Sequence, residues 1–375
     1  MRLLYITYKV DSRDSLVGYA VGWLNGLAAQ MDRVEVICLA AGEAQLAPNV
    51  RVHSLGKERG AGRADRAINF YRALWALRSS VDVVFCQFSP EYVLLVAPFA
   101  KWKRWPIALW YTHRHVSWRL RLATALADRI VTASPESFQV QSPKTRVIGH
   151  GIDTEKFCPA ALADSRWQMA DSHRSSAIGH QPSAISHQPI VLAVGRRSPI
   201  KYYELLIDAA QLLGRDFGWR DLRVRIVGGD EGGAPRGYAS QLQARIEKYG
   251  LKDTISLVGP VPFDQVAAEY QRAMAHVNLC PTGGMDKAVL EGMAVGVPTL
   301  VRNETFRPVL GELAEKLIVA GDGARAVAAR LDHLLRLSEA ERRAMSERLR
   351  QIVVEGFSQS ALVRRLAGEL CALKE

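Results

Sequence analysis

Twelve short runs rich in Val, Ile and Leu recur along this chain between longer segments of helical periodicity, and this alternation restricts the fold more than any other feature. The runs fall at residues 3–7, 34–39, 81–87, 107–111, 129–133 and 145–148, then at 190–194, 224–227, 255–257, 277–279, 299–301 and 317–319. Runs that are apolar throughout, not at every second position, fit parallel strands covered on both faces by helices. Helical periodicity fills gaps such as 19–30, 63–79 and 118–127. At 375 residues the chain exceeds a single ordinary core, so the expected class is α/β, with two facing, Rossmann-like, doubly wound domains and a cleft between them.

Composition narrows the function. Hydrophobic residues at 48% and charged residues at 23% suit a soluble globular protein. The longest apolar stretch, residues 92–100, falls short of the ~20 residues a spanning helix needs, and residues 1–7 read as a first strand, not a secretory signal. The expectation is a cytoplasmic protein. Cys38, Cys86, Cys158, Cys280 and Cys371 are isolated and odd in number, against a disulfide framework or structural zinc, so they are expected as buried small hydrophobes. Residues 1–150 carry 20 Lys and Arg against 11 Asp and Glu, which is +9 of the chain's +11. That field suits an anionic partner, whether a phosphorylated substrate or an acidic membrane surface, or else describes a basic soluble surface. Nucleic acid is not expected, because no recognition motif accompanies the charge.

Residues 160–189 lose periodicity and contain a tandem repeat, 176–182 followed by 183–189. His173, His180 and His187 there lack the supporting partners of a metal site, and the segment is expected as an inserted loop. The division is then a first domain at 1–158, a linker at 159–189, and a second domain from 190.

Two motifs carry chemistry. The run 190–194 leads into Gly195-Arg196-Arg197-Ser198-Pro199-Ile200-Lys201, which places two cations at a strand's carboxyl end, where open α/β sheets bind ligands. Arg196 and Lys201 are the candidates to meet a diphosphate and neutralise a departing nucleotide without metal. The second motif runs from Cys280 to Thr299 as strand, glycine turn, helix and strand. Gly283 and Gly284 allow backbone amides close to a ligand, and a helix starting near Asp286 points its positive end there. Glu291 is placed to accept from a ribose. In the first half, Trp110-Tyr111-Thr112-His113-Arg114-His115 closes a strand at the cleft edge, where His113 is a candidate proton donor or acceptor, or else a loop histidine with a satisfied hydrogen bond. Trp102-Lys-Arg-Trp105 and Trp118-Arg-Leu-Arg121 mix aromatics with cations, as membrane interfaces do, or else hold core tryptophans beside solvated cations.

Taken in this order, these elements resemble the retaining glycosyltransferase family 4, of GT-B fold, which implies that the last helix, 358–375, crosses back to the first domain and that the second domain ends at 357. The resemblance implies that Gly195, Arg196 and Lys201 hold the donor diphosphate, that Glu291 is the second acid of a paired-glutamate motif and binds the ribose, and that His113 faces the donor sugar. The segment Ile148-Gly-His-Gly-Ile-Asp is similar to the stretch ending the family's first domain. The sequence departs at three points. The first glutamate of the pair is Gly283, the glycine after the lysine is Tyr202, and the paired glycines of the first loop are reduced to Gly18. Either the amides of Gly284, Met285, Asp286 and Lys287 with the Asp286 side chain take over at the sugar, or sugar handling is altered. The base is expected near Val258 and Gly259.

The expected activity is transfer, with retention, from a UDP-, GDP- or ADP-sugar, with no cofactor and no metal. The acceptor is open, with a polyisoprenyl- or lipid-linked molecule at the inner face of the cell membrane as one class. A nucleotide-sugar 2-epimerase and a non-catalytic GT-B binding protein are the alternatives; a Rossmann oxidoreductase is disfavoured because Gly-x-Gly-x-x-Gly does not follow the first run.

Overall fold

The computed structural model describes residues 1–14, 16–160, 188–230, 237–281, 283–319 and 321–374. The repeat and its histidines lie outside the described residues. Two parallel sheets organise the rest. The first holds β1 (Arg2–Val10), β2 (Arg33–Ala41), β3 (Val50–Ser54), β4 (Val83–Gln87), β5 (Ile107–Trp110), β6 (Arg129–Thr132) and β7 (Thr145–Val147), in the order β3-β2-β1-β4-β5-β6-β7. The second holds β8 (Ile190–Val194), β9 (Arg223–Val227), β10 (Ile255–Val258), β11 (Ala275–Asn278) and β12 (Thr299–Val301), in the order β10-β9-β8-β11-β12. Both orders reverse beside the sheet's first strand, so each sheet has a switch point where a crevice opens at the carboxyl ends, between β1 and β4 and between β8 and β11. The α/β, doubly wound expectation holds.

Strand alternation sends Leu3 and Tyr5 of β1 to one face of the first sheet and Leu4 and Ile6 to the other. Helices Ala20–Ala28 and Gln359–Cys371 cover the first face, and helices Arg63–Ala76, Pro90–Lys103 and Trp118–Leu126 cover the second. The chain returns to the first domain at Ser358, which caps helix Gln359–Cys371 directly after helix Glu339–Phe357. Met345, Leu349 and Val353 of the earlier helix lie in the second domain's core, whereas Leu362, Val363 and Leu366 of the later one lie in the first domain's. At the crossing, Gln359 N donates to Ile152 O (2.7 Å) and Ile152 N to Phe357 O (2.8 Å).

Three expectations are corrected. Residues 317–319 do not form a strand: helix Ala314–Leu317 ends there, and Ile318 makes one isolated bridge to Val301. Strand β3 was not expected, because an edge strand is only half buried and Val50-Arg-Val-His-Ser54 has little apolar content. Of the cysteines, all free, Cys38, Cys86 and Cys158 are buried, but Cys280 is only partly so and Cys371 is exposed at a helix end.

Candidate functional site

The loops leaving β8 and β9 touch through their backbones. Gly195 N donates to Val227 O (2.9 Å), Arg197 N donates to Gly229 O (2.7 Å), and a Cβ on Gly228 would collide with Gly195 O. Arg197 is drawn into this packing by Asp230 (2.8 Å), and Arg196 beside it is exposed. Lys201 ends the short turn Pro199–Lys201, and Tyr202 follows in the left-handed region at φ +51°, capping helix Tyr203–Asp216. Glycine takes that conformation at least cost, so Tyr202 bears strain where the family has glycine. The Arg302 guanidinium covers its ring at 5.1 Å.

Across the switch point, Asp286 caps helix Lys287–Val295 through Ala288 N (3.2 Å). Its other oxygen pairs with Lys201 Nζ and accepts from Asn278 Nδ2 (2.8 Å). Burial alone would raise this carboxyl, but Lys201, Asn278 and the Ala288 amide outweigh it and hold it at about 2. The Asp286 side chain thus already accepts from Lys201, Asn278 and the Ala288 amide. Gly283 sits at φ +115° facing open space, and Asn303 Nδ2 donates to Gly284 O (3.3 Å). Glu291, one turn into the helix, is buried beneath Lys287, 4.0 Å away, with Tyr270 OH at 3.4 Å. Desolvation raises the Glu291 carboxyl and lowers the Lys287 ammonium.

The first domain supplies the opposite wall. Gly18 has no room for a side chain: a Cβ would meet Asp14 O at 2.7 Å, Ser12 O at 2.8 Å and, across the cleft, Phe263 Cβ at 3.0 Å. The Lys287 ammonium lies 3.3 Å from the centre of the Tyr19 ring, and Lys156 lies 3.9 Å over the Phe263 ring. A Cβ on Gly284 would run into Ser137 Oγ, so this glycine's backbone rests directly on the first domain's loop after β6. His113 stands beside Tyr111, rings 5.5 Å apart; its ring is reachable by solvent yet crowded, and desolvation followed by the charge of Arg196 holds it below imidazole's usual range. His150 is buried in the same wall. Desolvation and the Lys287 charge push it down to about 4, against the opposing pull of Asp286 and the Met285 backbone.

The candidate residues thus gather at one cleft. Gly195, Arg196, Lys201, Gly283, Gly284, Met285, Asp286, Lys287 and Glu291 come from the second domain, and Gly18 and His113 from the first. Val258 and Gly259 lie at the end of β10, two strands from β8 along the same edge, where Val258 O accepts from Gly228 N (3.2 Å) and Gly259 faces open space. Sequence reasoning missed Tyr19, Phe263 and Lys156, and gave His150 no role, although its Gly-His-Gly setting was a usable signal. Among the described residues no three His, Cys, Asp or Glu side chains gather as a metal site would.

Residues 178–352 match the family described as Glycosyl transferases group 1. A D-inositol 3-phosphate glycosyltransferase of Frankia alni is 28% identical over 202 residues, 53% of this chain and 46% of that protein. The putative colanic acid biosynthesis glycosyltransferase WcaL of Escherichia coli is 33% identical over 191 residues, 49% of this chain and 45% of that one. The matches therefore span less than half the length of these relatives. Among solved structures, Anabaena Alr3699/HepE in complex with UDP and glucose superposes with a TM-score of 0.71 at 16% identity, covering 99% of this chain and 100% of that one. Sucrose-phosphate synthase from Thermosynechococcus elongatus superposes with a TM-score of 0.72 at 18% identity, covering 99% of each. Residues 178–352 are thus similar to the glycosyl transferases group 1 family, and the two facing parallel sheets of the chain have the GT-B fold.

Proposed function

We propose that the chain transfers a sugar, with retention, from a nucleotide diphosphate sugar held in the cleft to an acceptor entering from the first domain. The observation that carries this reading is the convergence of Arg196, Lys201 and the amino end of helix Lys287–Val295 at the β8/β11 switch point, opposite His113 and His150. An ammonium has three donors, so Lys201 can keep Asp286 and still meet a phosphate. Arg196, Lys201 and the helix amides stabilise charge as it grows on the departing diphosphate, and fixed donors of this kind favour the transition state over the ground state. No metal is required for that neutralisation. The base lies against Val258 and Gly259 and the ribose on Glu291. His113, held neutral, donates to or accepts from a sugar hydroxyl.

UDP-sugars are the first donors to test, since HepE was solved with UDP and with UDP-glucose; GDP- and ADP-sugars follow. The acceptor is lipid-linked and met at an anionic membrane surface. In support, residues 63–78, 90–104 and 118–126 hold nine Lys and Arg against two Asp and Glu. On the same helices Trp102 is 60% and Trp118 66% exposed, whereas Trp105 is a core residue. Among the described residues no helix is long and apolar enough to cross a membrane.

Release of free nucleoside diphosphate from a panel of such donors, with and without extracts of lipid-linked glycans, tests the reading. A second reading, nucleotide binding without turnover, draws on Gly283, which leaves no carboxylate at the sugar; tight nucleotide binding with no release from any donor would favour it.

A further inference from the structure

The first domain contains an apolar cavity of about 180 Å³ that the donor cleft does not use. Its walls are Ile6, Ile37, Leu39, Leu55, Phe70 and Leu95, beneath helices Arg63–Ala76 and Pro90–Lys103, towards the carboxyl ends of β1 and β2. The exposed lining residues Arg63, Tyr71 and Leu95 mark its open side, where Tyr71 OH donates to Leu95 O (3.2 Å) and bridges the two helices. Ala67 and Tyr71 also line a surface groove of about 500 Å³ that continues over Ile68 and Arg72 to Trp75. There the Trp75 ring stacks on Trp102, 6.0 Å apart and 9° from parallel.

This path is apolar inside and cationic at its rim. Arg66 folds back onto Gly62 O (3.2 Å), but Arg63 and Arg72 make no hydrogen bond or ion pair among the described residues. A dry cavity of about 150 Å³ with aliphatic and aromatic walls takes up a benzene-sized molecule, so this one has room for the end of a hydrocarbon chain. Guanidinium groups pair well with phosphate oxygens, which complements an anionic head at the rim.

We infer that the cavity and the adjoining groove bind the chain of a phosphate-bearing amphiphile, with Arg63 at the cavity mouth facing its head group. The binding step stands on the cavity and its cations; that the bound molecule is the sugar acceptor rests on the function proposed above.

The test is calorimetric titration of the full chain with monomeric dodecyl phosphate, below its micelle-forming concentration. Saturable binding is expected, weakened at least about tenfold by Arg63→Gln or by the neutral head of dodecyl maltoside. Ala67→Trp, at an exposed rim position, is expected to abolish it without changing the melting temperature. Equal binding of inorganic phosphate or of dodecyl maltoside would overturn the inference, as would binding to phosphatidylglycerol vesicles but not to the monomer. UDP titrated into the same preparation reports on the cleft separately: retained UDP affinity with no dodecyl phosphate binding sinks this inference alone.

Discussion

The Lys201 ammonium and the Asp286 carboxylate pair across the switch point, joining the turn after β8 to the cap of helix Lys287–Val295. The pair has two duties that substitutions can separate: it ties two loops together, and it holds a cation where a phosphate belongs. Lys201→Ala leaves a carboxylate short of its partner and should cost about 1–3 kcal/mol of stability. Adding Asp286→Asn, which keeps a capping oxygen for Ala288 N but removes the charge, should recover part of that, giving a coupling of about 0.5–3 kcal/mol in denaturant melts, while transfer stays lost. Recovered transfer in the double variant would remove Lys201 from the diphosphate site.

The adjacent glycines should behave differently. Gly284→Val collides with Ser137 and props the domains apart, and since misplacements of about 1 Å can cost 100-fold, turnover should fall at least tenfold with the fold intact. Gly283→Ala meets no atom but adopts φ +115°, so its effect should be about 1–3 kcal/mol of stability. Thermal melts and steady-state rates on both variants separate contact from strain, and matching effects would mean the domain contact is unimportant.

Much of this site was legible in the sequence because local patterns place local elements. The switch-point loops follow strands that announce themselves by apolar runs, and a helix N-terminus after Gly283 and Gly284 is readable from the Asp cap. What could not be read were relations across the cleft. Tyr19 and Lys287 are 268 positions apart, and nothing in either neighbourhood tells that the ammonium sits on the ring. The pairing of Asp286 with Lys201 was not legible for the same reason, since it depends on how β8 and β11 lie side by side. Edge strand β3 escaped because half-buried strands need few apolar residues.

Tyr202 offers a test of backbone strain. A left-handed conformation costs an L-residue about 1–2 kcal/mol, and more for a β-branched one, so Tyr202→Val should be destabilised by at least that amount. Tyr202→Gly relieves the strain but loses the Arg302 contact, and should stay within about 1 kcal/mol of the parent. Equal losses in both variants, measured by urea denaturation, would show that the ring's packing governs the position.

His150 predicts an acid-side slope. Its folded pKa of about 4 lies below the unfolded value of about 6.5, so the folded state binds fewer protons between them. Its contribution to stability is present above pH 6.5 and is lost as pH falls towards 4. Melting temperatures of His150→Phe should fall less steeply than the parent's across that window. Parallel curves would mean His150 is protonated alike in both states.

The central claim is a cleft that binds a nucleotide diphosphate through protein cations. The most direct measurement is titration of UDP, GDP and ADP into the parent chain, Arg196→Ala and Lys201→Ala, each with and without EDTA. The account predicts selective binding of one nucleotide, unchanged by EDTA and weakened at least about tenfold in both variants, the loss expected when a charge-assisted bond is removed. Binding that EDTA abolishes, or that both variants retain at parental affinity, would contradict it.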